Sequence, residues 1–374
     1  MDRRNYLMGS LSAGLALLGA GSARAQEERV IEALKQAVGA RNSSAGMVAV
    51  LIDASGARMS SYGSSGKPGV AMDGSAVFEI MSNTKVLTSL LLADMEGRGE
   101  VAFDDPVTKY LPSSVKMHER GGPITLLDLA TYTSGLPNMP DNLSPQWWAT
   151  AGPMRDYSRE KLFEFLSAYQ PIHPPGAHYE YANLGFGLLG VALANRAGVP
   201  YEELLIKRVC GPLGMNQTRI TLTDDKSRHL VQGHDLGMKP TELWTWPAIP
   251  GAGCALSTAN DLTKFVKACM GITRTRLAPS LARLVQTQRP TSLPGTSAGM
   301  GWYITSTGDD LLVWKSGLSM GCNTFMGYSR RKRKGAVLMA NFLWQPIDAG
   351  TIAMGVKLIE PNFPGADFNA LYPH

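Results

Sequence analysis

The sequence predicts an α+β fold, in which one antiparallel sheet is built from both ends of the chain and a helical lobe is inserted between them. Two observations predict it. Strand-like apolar runs lie near the N-terminus and again from Gly299 onward, whereas residues 76–267 read as helical patches between Pro- and Gly-rich loops. The C-terminal runs are also separated by turns too short for crossover helices, which favours antiparallel pairing. The cleft between sheet and helical lobe is then the default place for a site.

The first 25 residues are expected to be a leader rather than part of the fold. Arg3-Arg4 precede an apolar run from Tyr6 to Leu18, and Ala23-Arg24-Ala25 follow. That order of charged, apolar and small residues marks a secretory signal cut before Gln26. RRNYL also resembles a twin-arginine export signal. The apolar run is too short and too rich in Gly and Ser for a transmembrane helix, so the mature chain is expected to be exported without an integral membrane segment.

Beyond the leader, a polar helical segment spans Glu27 to Ala40. GMVAVLID (Gly46 to Asp53) reads as a buried strand, and ARMSSYG (Ala57 to Gly63) returns across a short turn. Helical patterns follow over Ser82 to Gly97, Thr125 to Thr131, Arg159 to Tyr169, Leu184 to Ala197, Tyr201 to Val209 and Ala259 to Met270. Ser257-Thr258 offers a cap for the last of these. GWYIT, DLLVWK, NTFMGYS and GAVLMANF are the C-terminal strands, and a helix from Ala349 to Ile359 closes the chain. With 44% hydrophobic residues among 374, one large core is affordable. The expectation is a single domain over 26–374, with a sheet lobe of about 26–75 and 271–374 around a helical lobe of about 76–270.

Charge and composition exclude several functions. Loss of Arg3, Arg4, Arg24 and Asp2 with the leader lowers the formal net charge from +5 to +3, too mild for a nucleic-acid binder. The basic run Arg330 to Lys334 sits between two strand-like runs and reads as a solvated hairpin turn. Cys210, Cys254, Cys269 and Cys322 are too sparse for a disulfide framework, and buried free thiols are the expectation. His229 and His234 are five apart, off one helical face, so no metal site or cofactor is implied.

The candidate chemistry centres on Ser82, which opens the apolar helix ending at Gly97 and Gly99. Lys85 stacks one turn away on the same face. A hydroxyl there has an amine within reach and a helix N-terminus with unsatisfied N–H groups. Ser-x-x-Lys is a weak pattern, and it recurs at Ser64/Lys67 and Ser113/Lys116; those copies lie in loops and open no apolar helix. Two further motifs single out the Ser82 copy. Tyr181-Ala182-Asn183 is the chain's one Tyr-x-Asn and precedes an apolar helix. Lys315-Ser316-Gly317 is its one Lys-[Ser/Thr]-Gly and ends a strand-like run. Singly, these would read as a helix-entrance aromatic and an edge-strand charge.

Together the three motifs resemble the serine β-lactamase and penicillin-binding superfamily, within it the class C-like branch. That branch includes class C β-lactamases, periplasmic D-alanyl-D-alanine carboxypeptidases/endopeptidases and related esterases. TYTSGLP (Thr131 to Pro137), PPGAHYEYANLGFGLLG (Pro174 to Gly190), GPLGMNQT (Gly211 to Thr218) and GAGCALSTANDL (Gly251 to Leu262) extend the resemblance over nearly all of the mature chain. It implies a β-lactamase/transpeptidase-like fold, a periplasmic location and a β-lactam, peptidoglycan stem-peptide or ester substrate. By the family pattern Ser82 is the nucleophile beside Lys85, and Tyr181 is the general base and acid. Asn183 contacts the substrate amide, and Lys315 and Ser316 hold a substrate carboxylate and tune the tyrosine. The backbone N–H groups of Ser82 and Leu318 form the oxyanion hole, with Gly317 admitting the substrate backbone.

Physical chemistry leaves the base open between Lys85 and Tyr181. A phenol of pKa about 10 is a weak base at neutral pH. Two ammonium neighbours would favour phenolate, while burial would lower the lysines. Tyr-Ala-Asn in place of Ser-Asp-Asn points to the tyrosine type within the superfamily, and Ser316 stands for the usual threonine while keeping its hydroxyl. LSMGCNTF is bulkier than the Gly-rich run common in class C β-lactamases, which leaves peptide and ester substrates open. Two rival readings remain. Gly317-Leu318-Ser319-Met320-Gly321 matches the Gly-x-Ser-x-Gly of α/β-hydrolases, although a strand-like run follows and His374 is the single later histidine. A penicillin-binding module that acylates without turnover is the non-enzymatic alternative.

Overall fold

The structure, a computed structural model, describes residues 23–39, 41–144, 152–344 and 349–372. The leader expected over residues 1–25 lies outside the described residues as far as residue 22. In chain order the strands are β1 (Gly46–Asp53), β2 (Gly56–Gly63), β3 (Val77–Glu79), β4 (Leu256–Thr258), β5 (Arg289–Pro290), β6 (Thr296–Ala298), β7 (Tyr303–Ser306), β8 (Leu311–Leu318), β9 (Asn323–Ser329) and β10 (Lys334–Ala340). Eight form one antiparallel sheet in the order β2-β1-β10-β9-β8-β7-β6-β5, and β3 pairs with β4 separately.

Both chain ends therefore share the sheet, as the strand pattern predicts. β1 is apolar on both sides of its pleat and buried from Gly46 to Ile52, as an interior strand must be. Its register runs from Met47 opposite Ala340 to Ile52 opposite Gly335. The junction is sealed by Asn341, whose Oδ1 accepts from Gly46 N at 2.7 Å. The basic run Arg330–Lys334 makes the exposed turn between β9 and β10, with Arg333 in the left-handed region at φ 51°.

The longer helices are α1 (Ala23–Gly39), α2 (Thr84–Gly97), α3 (Leu126–Ala130), α4 (Arg159–Ala168), α5 (Asn183–Ala197), α6 (Tyr201–Leu205), α7 (Ala259–Cys269), α8 (Ala278–Gln286) and α9 (Ala349–Ile359). None among the described residues is long and apolar enough to cross a membrane. Most expected boundaries hold within a residue or two. Thr258 caps α7 by accepting from Asp261 N. The helix expected over Tyr201 to Val209 keeps regular geometry to Leu205 and then widens into a π turn over Ile206–Cys210. Pro212, which has no N–H to give, follows after Gly211. The two- and three-residue strands β3 to β6 are too short to show a period, and α8, which carries Leu281 and Leu284 on its buried face, is an element beyond the sequence expectation.

α1 lies on β2 and β1, α9 on β9, β10 and β8, and α7 on β10 and β1. α2 runs through the interior against α5 and α8, and it is buried on every side from Thr84 to Met95. Its polar residues are there because they have partners. Thr88 Oγ1 meets Tyr201 Oη at 2.6 Å and donates to Gly251 O at 2.8 Å. The 3₁₀ turn Met81–Asn83 feeding α2 packs on β8 and β9, which sets Ser82 beside the Lys315 strand.

Candidate active site

Ser82 lies in that 3₁₀ turn, one residue before the cap of α2. Met81, immediately before it, is buried at φ 40°, a conformation that an unbranched L side chain rarely adopts. Ser82 Oγ is 2.5 Å from Tyr181 Oη and 2.8 Å from Lys85 Nζ. Two side chains, one from a helix and one from a distant loop, thus converge on the oxygen carried by the turn.

Lys85 is fully buried, and its Nζ also donates to Asn183 Oδ1 and Ala252 O, each at 2.7 Å. Burial, reinforced by the neighbouring Lys315 charge, pushes the Lys85 amine well below the usual lysine range. A neutral amine has two N–H groups and one lone pair. In that form, with Asn183 and Ala252 taking the two N–H groups, the lone pair would face the Ser82 hydroxyl; as an ammonium, Lys85 donates to all three oxygens. Asn183 is itself held, since its Nδ2 donates to Asn138 Oδ1 at 2.9 Å and its backbone N to the same oxygen at 3.2 Å. Both ends of the Asn183 amide are therefore engaged within the protein.

Lys315 Nζ, on β8 and fully buried, sits among four tyrosine rings. Its distance is 4.3 Å to the Tyr303 centroid, 4.9 Å to Tyr181, 5.5 Å to Tyr132 and 5.7 Å to Tyr372. Lys85 Nζ is 5.0 Å from the same Tyr181 ring, which places that ring between two amines. Tyr132 stacks on Tyr181 at 5.5 Å and, like Met81, holds a positive φ, here 60°. Ser316 Oγ meets Tyr372 Oη at 3.0 Å.

A Cβ on Gly317 would lie 2.1 Å from Ile80 O, so the protein's own backbone just ahead of Ser82 already requires a glycine there. Gly317→Ala must push β8 away from the 3₁₀ turn. A displacement near 1 Å is expected to lower kcat/KM by about 100-fold or more, with a lowered Tm, as read by ester kinetics and calorimetry.

Ser319 is excluded as a nucleophile by its surroundings. It is buried, donates to Glu79 Oε2 at 2.8 Å, and accepts from Gly321 N and Cys322 N at 3.1 and 2.8 Å. Glu79 also accepts from Trp244 N at 2.7 Å, and burial pushes its carboxyl up to about 7. This buried pair shapes the turn that leaves β8 at Leu318. The other Ser-x-x-Lys copies are loop residues, as expected. Lys67 is exposed and donates to Ser227 O, and Ser113 and Lys116 are both exposed. All four cysteines are free. Burial pushes the Cys210 and Cys254 thiols up to about 12, far from reactive thiolates.

Several site residues had no sequence signal of their own. Tyr132 falls within TYTSGLP, but its ring contact with Tyr181 shows only in space. Asn138, Ala252, Tyr303 and Tyr372 come from loops and strand ends with no fixed spacing to the three motifs.

Fold and site together define a serine hydrolase. The profile of the Beta-lactamase family matches residues 29–347, and the chain belongs to that family. It is 31% identical over 310 residues to the D-alanyl-D-alanine-carboxypeptidase/endopeptidase AmpH of Escherichia coli (strain K12), spanning 79% of this chain and 78% of that one. A Beta-lactamase of the same strain is 34% identical over 193 residues, 51% of this chain and 47% of the other. Among solved structures, a class C β-lactamase superposes with a TM-score of 0.78 at 19% identity, covering 93% of this chain and 99% of that one. A β-lactamase/D-alanine carboxypeptidase from Pseudomonas syringae gives 0.76 at 20%, covering 90% and 99%. These two share the fold.

Proposed function

We propose that this chain is an exported, periplasmic serine acyl-hydrolase whose nucleophile is Ser82, acting on β-lactams or D-alanyl-D-alanine-type peptides. The observation that carries the reading is the convergence of Tyr181 Oη and Lys85 Nζ on Ser82 Oγ at 2.5 and 2.8 Å. As Ser82 Oγ attacks the carbonyl carbon, its proton passes to the Lys85 lone pair. Tyr181 Oη, bonded to the same oxygen, carries a proton on to the leaving nitrogen or oxygen. The backbone N–H groups of Ser82 and Leu318 stabilise the developing oxyanion. Water then cleaves acyl-Ser82 by the reverse proton path. Lys315 keeps the field around Tyr181 positive, and Asn183 positions Lys85 as well as facing the substrate amide. The names of the AmpH and Beta-lactamase relatives support the substrate class.

Small-ester hydrolysis on the same machinery is the second reading. It is favoured by the burial of Ser316, which is 2% exposed and so ill placed to receive a carboxylate. A parallel panel of nitrocefin, a D-Ala-D-Ala peptide and p-nitrophenyl acetate tests the choice. Turnover of the first two, lowered about 100-fold or more by Lys315→Ala, is the expected result. Turnover of the acetate alone, at a rate Lys315→Ala leaves unchanged, would discard the carboxylate-directed reading.

A further inference from the structure

The C-terminal segment reaches back into the site. Phe368 packs edge-on against Trp314 of β8 at 5.2 Å, and Leu371 is fully buried. Two carbonyls are held from outside the segment: Leu371 O accepts from Tyr179 Oη at 2.8 Å, and Ala370 O accepts from Ser292 Oγ. This anchoring delivers the next residue, Tyr372, to the active-site wall. Its ring meets Tyr181 edge-on at 4.9 Å, and its hydroxyl lies 3.0 Å from Ser316 Oγ. Ser316, on the interior strand β8, is 2% exposed, although it belongs to the motif expected to receive a substrate carboxylate.

We propose that Tyr372 is a specificity-determining residue whose phenol covers the Ser316 hydroxyl and so holds down turnover of carboxylate-bearing acyl donors relative to uncharged ones. A carboxylate reaches the Ser316 oxygen only after the phenol has swung away, because the Tyr372 oxygen stands 3.0 Å in front of it. An uncharged ester makes no demand on Ser316 and reacts with Tyr372 in place. The anchors at Leu371 and Ala370 lie in the backbone, whereas the ring is held by its edge-on contacts with Tyr181 and Tyr303.

The inference rests on acyl transfer at Ser82, and its test separates the two. Steady-state kcat/KM is measured for nitrocefin, which carries a ring carboxylate, and for p-nitrophenyl acetate, which is neutral. Wild type, Tyr372→Ala and Tyr372→Phe are compared, with Ser82→Ala as control. Tyr372→Ala is expected to raise the nitrocefin-to-acetate ratio by about tenfold or more. Tyr372→Phe, which keeps the ring packing and removes the oxygen facing Ser316, is expected to raise it by about threefold. Should Tyr372→Ala fail to fold, the phenylalanine variant decides alone. A ratio that stays within about twofold of wild type, or falls, overturns the role given to Tyr372. Acetate turnover that survives Ser82→Ala would instead overturn the acyl-transfer reading beneath it.

Discussion

Ser82→Ala is expected to lower kcat/KM by about 10⁴-fold or more on every substrate the wild type turns over, with the fold intact. The side chain lost is one methylene-borne hydroxyl in a turn whose geometry is set by backbone contacts. Ile80 N donates to Ala255 O and Asn83 N to Ile80 O, and neither bond uses the Ser82 side chain. Melting temperature should therefore hold while activity collapses. Ser319→Ala gives the opposite pattern. It removes a donor to buried Glu79, so stability falls, but the nucleophile remains. Kinetics and thermal melts on the pair distinguish the Ser-x-x-Lys site from the Gly-x-Ser-x-Gly rival.

The second large effect concerns Lys85. Its amine is held well below the ordinary lysine range, first by burial and then by Lys315. The sign follows directly: the neutral amine predominates above the lowered pKa, and the cation takes over as pH falls through it. Activity on a neutral ester should rise with pH along an acid limb and then level off. Lys85→Ala should lower kcat/KM by about 10²- to 10⁴-fold and abolish that limb. Lys85→Arg, a side chain that stays charged, should be no better than the alanine variant. A pH–rate profile on p-nitrophenyl acetate checks all three. A wild-type limb that persists unchanged in Lys85→Ala would assign the titration to another group.

Much of this was legible before any coordinates. The strand runs at both ends, the buried β1 and the C-terminal hairpins prescribed the sheet, since each carries a period or a turn that only one arrangement satisfies. Ser82, Lys85, Tyr181 and Lys315 stood out because each sits where an apolar run begins or ends. Patterning could not reveal contacts with no local signature. The close approach of Ile80 O to Gly317 is one such contact, since only the packing of the 3₁₀ turn on β8 brings the two together. Tyr132, Tyr303 and Tyr372 are separated by most of the chain, yet all three surround the one Lys315 nitrogen. Asn138 is invisible in sequence for the same reason: its role is to hold Asn183, across a loop, so that Asn183 can hold Lys85.

The central claim is that the Ser82 oxygen becomes covalently bonded to the acyl group. Intact-protein and peptide mass spectrometry after brief exposure to benzylpenicillin measures this most directly. The account predicts one penicilloyl adduct, mapped to the peptide carrying Ser82 and absent from Ser82→Ala. An adduct on any other residue, or one that persists in Ser82→Ala, would contradict it.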